Sequence, residues 1–112
     1  MNNILELNGL KAKIVFDPEI EMFRGEILGL SGSADFYAEN VQSLKDEMET
    51  SLKVYLEVCQ EEGIEPYKHY SGKIAYRTAS DIHQKLEALA SAQNVSVNKL
   101  IDKFVVEGIA SN

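Results

Sequence analysis

The chain is poor in the residues that carry chemistry. A single cysteine, Cys59, among 112 residues excludes an intramolecular disulfide framework. With only His69 and His83 beside it there is no zinc-ligand spacing, so neither a metal nor another cofactor is expected. Cys59 falls on the apolar stripe of a predicted helix and reads as a buried structural thiol. No apolar run approaches the ~20 residues of a membrane span. The start, MNNILELNGLK, lacks the basic n-region and long apolar core of a secretory signal, and the expected location is cytoplasmic. No Ser–His–acid set, Cys–His pair or Gly-rich phosphate loop is present. Asp17, Glu19 and Glu21 cluster, but beside Pro18 they read as an exposed turn rather than a two-metal site, and Asp35 stands alone. No catalytic residue is assigned, and the chain is read as a non-enzyme.

What is present is an ordinary globular composition, 45% hydrophobic and 26% charged, with a divided charge. The net charge of −7 looks wrong for a nucleic-acid-binding protein. Residues 1–66, however, hold 5 Lys and Arg against 14 Asp and Glu, whereas residues 67–112 hold 6 against 4. The acidity therefore belongs to the N-terminal part, and the C-terminal part is mildly basic. Two segments of opposite charge suggest two different partners.

Gly72 to Ile109 holds the clearest pattern. Lys73 to Thr78 alternates, with Ile74, Tyr76 and Thr78 on one face and Lys73, Ala75 and Arg77 on the other, the signal of a half-buried strand. Thr78 and Asp81 have the spacing of a capping box for a first helix, whose stripe is Ile82, Leu86, Leu89 and Ala90. Asn94-Val95 breaks it, and Ser96 caps a second helix with Val97, Leu100, Ile101, Phe104 and Val105 on one face. One short strand and two helices cannot close a core alone, and a lone strand leaves both its edges unpaired. A homodimer answers both needs, two strands pairing as an antiparallel ribbon over four helices.

Strand, helix, helix at this spacing resembles the ribbon-helix-helix DNA-binding family of the Arc and MetJ type. The resemblance implies that the outward ribbon residues Lys73, Ala75 and Arg77 face bases in the major groove of operator DNA. Arg77 can bridge O6 and N7 of a guanine, whereas Ala75 offers only methyl contact with thymine. Ser96, Val97, Asn98 and Lys99 match the family's phosphate clamp, where free N–H groups and the helix dipole attract an anion. Family ribbons commonly run into a Pro at the first helix, where this chain has Ala79-Ser80. His83, in the first turn, suits a solvent-facing or phosphate-adjacent place.

The N-terminal part reads as a small α+β unit. Leu10 to Phe16 alternates as a strand after a turn or bulge at Asn8-Gly9. Asp17-Pro18-Glu19 turns the chain into a second strand, Met22 to Leu28, and a short third strand is expected at Ala34 to Tyr37. Asn40 caps a helix running to Glu62, with Val41, Leu44, Met48, Leu52, Tyr55, Leu56 and Cys59 on its apolar stripe, and Gly63 with Pro66 stops it. The expected architecture is a three-stranded antiparallel sheet covered by one long helix over residues 1–64. A linker follows at 65–72, and the ribbon-helix-helix domain occupies 73–112.

The segments FDPEIEMFRGEILGL and SLKVYLEVCQEEGIEPYK, then YSGK, the ribbon and His83, together resemble the HicB family, antitoxins of toxin–antitoxin pairs. The resemblance implies a truncated ribonuclease-H-like N-terminal domain without catalytic carboxylates. It would bind a small basic HicA-type toxin, an mRNA interferase, while the C-terminal domain dimerises and represses the operon. Asp17, Glu19 and Glu21 are candidates for the toxin contact, and two binding domains per chain leave tetramers open. A stand-alone transcriptional regulator without a toxin, and a pure dimerisation module, are the competing readings. A small basic protein encoded beside this gene would favour the antitoxin. The dimerisation module predicts no salt-dependent DNA binding.

Overall fold

The computed structural model describes residues 3–112 and divides into two compact units, the first ending at Ser71 and the second beginning at Gly72. The first unit is a four-stranded antiparallel meander, β1 (Ile4–Leu7), β2 (Leu10–Asp17), β3 (Met22–Ile27) and β4 (Asp35–Ala38), in the spatial order of the chain. Helix α1 (Val41–Glu62) packs on it. The second unit holds α2 (Ser80–Gln93) and α3 (Val97–Ala110), packed against each other.

The three-stranded expectation is therefore one strand short. Asn8 and Gly9 both have positive φ, 51° and 83°, and join Leu7 to its partner Leu10 in a two-residue hairpin. Both positive values are what a tight I′-type connection requires, which is why Asn-Gly is preferred there. The turn was legible, but the ILEL strand before it has no clean alternation: Leu5 and Leu7 pack on the core, and Ile4 lies on the opposite face. The β2–β3 turn is closed by Asp17, whose Oδ1 accepts the Glu19 N–H at 3.0 Å.

Cross-strand partners share a face. The register Ala12↔Ile27, Ile14↔Gly25 and Gly25↔Phe36 therefore collects one apolar face, on which Leu44 and Met48 of α1 complete the core. Asn40 starts α1 by accepting the Ser43 N–H at 2.9 Å, and Gly63 ends it in the left-handed conformation at φ 66°. The Ile64 N–H reaches back to the Cys59 carbonyl at 2.8 Å, a Schellman closure. Cys59 itself is buried, as its place on the stripe implied.

In the second unit Asn94 takes the left-handed position at φ 59° and ends α2, and the Ser96 hydroxyl caps α3 by accepting the Lys99 N–H at 3.1 Å. One expectation needs correction. The Thr78–Asp81 capping box is absent: the N-cap is Ala79, with no side-chain acceptor, so Thr78 stands one position too early and Asp81 falls at the second helical residue. The strand expected over Lys73–Thr78 is one that pairs with a second copy, and in the single chain the segment lies outside any sheet. A strand is defined by its ladder, and no described residue ladders with this segment.

Candidate nucleic-acid interface and partner surfaces

The second unit is built around very little. Ala90 and Leu100 are its only described residues to be buried. Much of the apolar surface that should face a core instead faces outward: Ile74 is 89% exposed, Tyr76 57% and Val105 50%, with Ile82, Leu89, Phe104 and Ile109 also exposed. Tyr76, Ile82, Leu86, Ile101, Phe104 and Val105 line an apolar hollow of about 410 Å³. Amphipathic stripes at helical spacing normally find a partner, and among the described residues these are covered only in part.

A second hollow, of about 470 Å³, has a different character. It is lined by Arg77 and Thr78 of the segment before α2, His83 of α2 and Asn98 of α3, together with Leu86, Val97 and Ile101. Among the described residues, the side chains of Arg77, Thr78, His83 and Asn98 have no hydrogen-bond or ion-pair partner. At the start of α3 the Val97 and Asn98 N–H groups belong to the first helical turn and have no intrahelical acceptor. Ser96 spends its hydroxyl oxygen on the Lys99 N–H, so its first service is to the helix. The structure thus brings Arg77, Val97 and Asn98 of the expected DNA-binding residues to one hollow. Lys73 lies with Asn98 and Asp102 at a neighbouring one, and Ala75 contributes only an exposed methyl.

In the first unit Asp17, Glu19 and Glu21 surround the β2–β3 turn, but they are not equivalent. Asp17 is partly buried and holds the turn, while Glu19 and Glu21 are exposed. Phe16 and Phe23 meet edge to face beside them, ring centroids 5.6 Å apart, and Ile20 is half-exposed at the tip. On the open face of the sheet Arg24 reaches Asp35 Oδ2 through Nη2 at 2.6 Å and Nε at 3.2 Å. That hydrogen bond, and then the carboxylate's charge, raise the Arg24 pKa above its ordinary value.

Tyr55 has a role that sequence reading missed. Its hydroxyl accepts the Gly32 N–H at 2.8 Å, lies 2.9 Å from Ser31 Oγ, and donates to the Pro66 carbonyl at 3.1 Å. Ser31 Oγ also donates to the Glu65 carbonyl at 2.6 Å, and Leu30 forms a bridge with Tyr67. The stretch after α1, which carries no period in the sequence, is therefore fastened to the loop between β3 and β4. The available signal was a tyrosine on an otherwise apolar stripe, whose hydroxyl needs a partner when buried.

No group of three or more His, Cys, Asp and Glu able to hold a metal occurs among the described residues, and none of their polar or charged side chains is buried. No described helix is long and apolar enough to cross a membrane. These features define a two-unit α+β chain whose helical unit is open on an apolar face and presents unpartnered polar groups beside it. Residues 55–105, a little under half of the chain, match the model of the HicB family. The match begins at Tyr55 itself and covers the end of α1, both hollows, α2 and most of α3. No curated protein and no solved structure matches the chain.

Proposed function

We propose that the chain is an antitoxin of a toxin–antitoxin pair, and that its second unit is a ribbon-helix-helix dimer that binds operator DNA and represses its own operon. The likeness to the HicB family over residues 55–105 is consistent with the antitoxin role. The observation that carries the dimer is the unfinished state of the second unit: a segment with strand alternation but no sheet neighbour among the described residues, beside an exposed apolar face containing Tyr76, Phe104 and Val105. A second copy supplies both missing parts, pairing segment with segment and covering face with face. Burying a half-exposed Val, Phe or Tyr contributes on the order of 1 kcal/mol or more each, which is the scale a unit with two buried residues needs.

In that dimer Lys73, Ala75 and Arg77 form the outward face of the ribbon, Arg77 reading a base and Ala75 at most touching a thymine methyl. The N–H groups of Val97 and Asn98, with Ser96 and Lys99 beside them, hold a phosphate at the positive end of α3. The first unit, acidic and without buried charge, is the part that takes a basic HicA-type mRNA interferase, with Glu19 and Glu21 at the β2–β3 tip as contact candidates. The chemistry of the complex is inhibition by binding, and no residue here is given a catalytic task.

A fluorescence-anisotropy titration on DNA from upstream of the chain's own gene, with a scrambled competitor and two salt concentrations, tests the repressor reading. Specific binding that weakens steeply with salt is expected. Salt-independent or absent binding by a folded dimer would leave the ribbon a dimerisation device. Co-expression with a small basic protein encoded beside this gene tests the antitoxin reading: relief of its toxicity supports it. A stand-alone regulator would bind DNA and have no such neighbour.

A further inference from the structure

We infer that His83 is a proton-dependent phosphate contact, which makes DNA affinity and the number of phosphates neutralised rise as the pH falls. The inference rests on the DNA-binding reading and adds a regulatory property to that same surface. Its basis is a juxtaposition: His83 shares one hollow with Arg77, the proposed base reader, and Asn98, at the proposed phosphate clamp. Three elements thus place three polar residues around one hollow, and none of their side chains has a partner among the described residues. His83 spends only its backbone, the N–H bonding to the Ala79 carbonyl at 3.0 Å as α2 begins. The imidazole is exposed and free to donate.

Imidazole gains its proton near physiological pH, at about 6.5 in an unperturbed side chain. As imidazolium it carries two N–H donors and a positive charge, and a phosphate oxygen accepts from such a donor more strongly than from a neutral one. The charged groups around it set the sign. From the segment before α2 Arg77 lines the same hollow. From α3 the hollow receives Val97, Asn98 and Ile101, none of them titratable. On α2 itself Asp81 lies two residues before and Glu87 one turn beyond. A phosphate that pairs with both Arg77 and His83 is held more strongly by the imidazolium than by the neutral ring, so DNA binding and protonation favour each other.

The test is the full-length protein on a duplex from upstream of its own gene, titrated by anisotropy at about pH 5.5 and about pH 8, over a range of salt at each. Two copies of His83 per dimer should steepen the slope of log K against log salt by up to about 1.8 at the lower pH, since each phosphate neutralised contributes about 0.9. His83→Gln should abolish the change in slope, and His69→Gln should leave it in place. An NMR titration of the unsubstituted protein gives an independent readout, with the His83 midpoint moving to higher pH when the duplex is added. A slope change that survives His83→Gln, or a midpoint indifferent to DNA, would overturn the inference while leaving the DNA-binding reading standing. Absence of specific binding by the unsubstituted protein at both pH values would overturn the DNA-binding reading and this inference with it.

Discussion

Phe36 lies across the face of Gly25, its partner in the β3–β4 ladder: a Cβ built on Gly25 would overlap the Phe36 ring. Gly25 is not among the positive-φ residues, so it is there for space and not for backbone freedom. An aromatic ring laid over a strand glycine restores the apolar cover that the missing side chain fails to provide. Phe36 is 3% exposed in this position, with Ile14 as the other neighbour of Gly25 in the register.

Gly25→Ala should therefore destabilise the first unit by about 1–3 kcal/mol, because the ring has to leave a closely packed place. The entropy that alanine removes from the unfolded chain is worth only about 0.4–1 kcal/mol and does not offset this. Urea unfolding should show a lower midpoint with an unchanged slope. An unaltered midpoint would mean that Phe36 can rotate aside without loss.

Tyr55→Phe keeps the ring and deletes the hydroxyl that Gly32, Ser31 and Pro66 share. The cost should be about 1–3 kcal/mol if the Gly32 N–H is left unsatisfied, less if water reaches it. Hydrogen exchange locates the effect: faster exchange is expected at Gly32, Ser31 and Lys68, whose N–H groups bond at this junction, and little change at Ala12. Uniform acceleration across the sheet would argue that Tyr55 stabilises the whole unit rather than fastening the two loops.

The unequal caps of the second unit make a paired test. Ser96→Ala should cost about 1 kcal/mol, since the Lys99 N–H loses its acceptor. Ala79→Ser should gain a comparable amount, because Ala79 already has extended N-cap dihedrals, φ −67° and ψ 150°, and lacks only the oxygen. Thermal unfolding of the two variants should move in opposite directions. Destabilisation by Ala79→Ser would mean that the cap position is occupied in the assembled protein.

Ile74→Ser probes the proposed dimer. A fully buried isoleucine contributes about 1.5–3 kcal/mol, and each dimer holds two copies, so the dimer should weaken by roughly 10²–10⁴-fold. Sedimentation would read this directly, with DNA affinity falling in parallel and the circular dichroism of the first unit retained. Full retention of the dimer would place the 89% exposed Ile74 outside the interface.

Much of the local structure was written in neighbouring residues. Asn40, Gly63, Asn94 and Ser96 act within a few positions of themselves, so the ends of the helices were legible without a fold. The same holds for the Asn8-Gly9 turn, the alternation of β2, and the stripe of α1 that buries Leu44, Met48 and Cys59. The start of α2 was misread because Thr78 and Asp81 have the spacing of a capping box one residue out of phase with the helix that forms.

Three matters were decided by residues outside the segment concerned. The ILEL segment became a strand because β2 was there to pair with it, Leu5 opposite Ala12. Gly25 is required by the ring of Phe36, and Tyr55 by the carbonyl and amide groups of two separate loops. Nothing in the residues beside either position expresses these needs, since register and hydrogen-bond partner are set only when the sheet and helix meet. The alternation from Lys73 to Thr78 is local and readable, but a ladder requires a second strand, and the described residues of a single chain supply none for this segment.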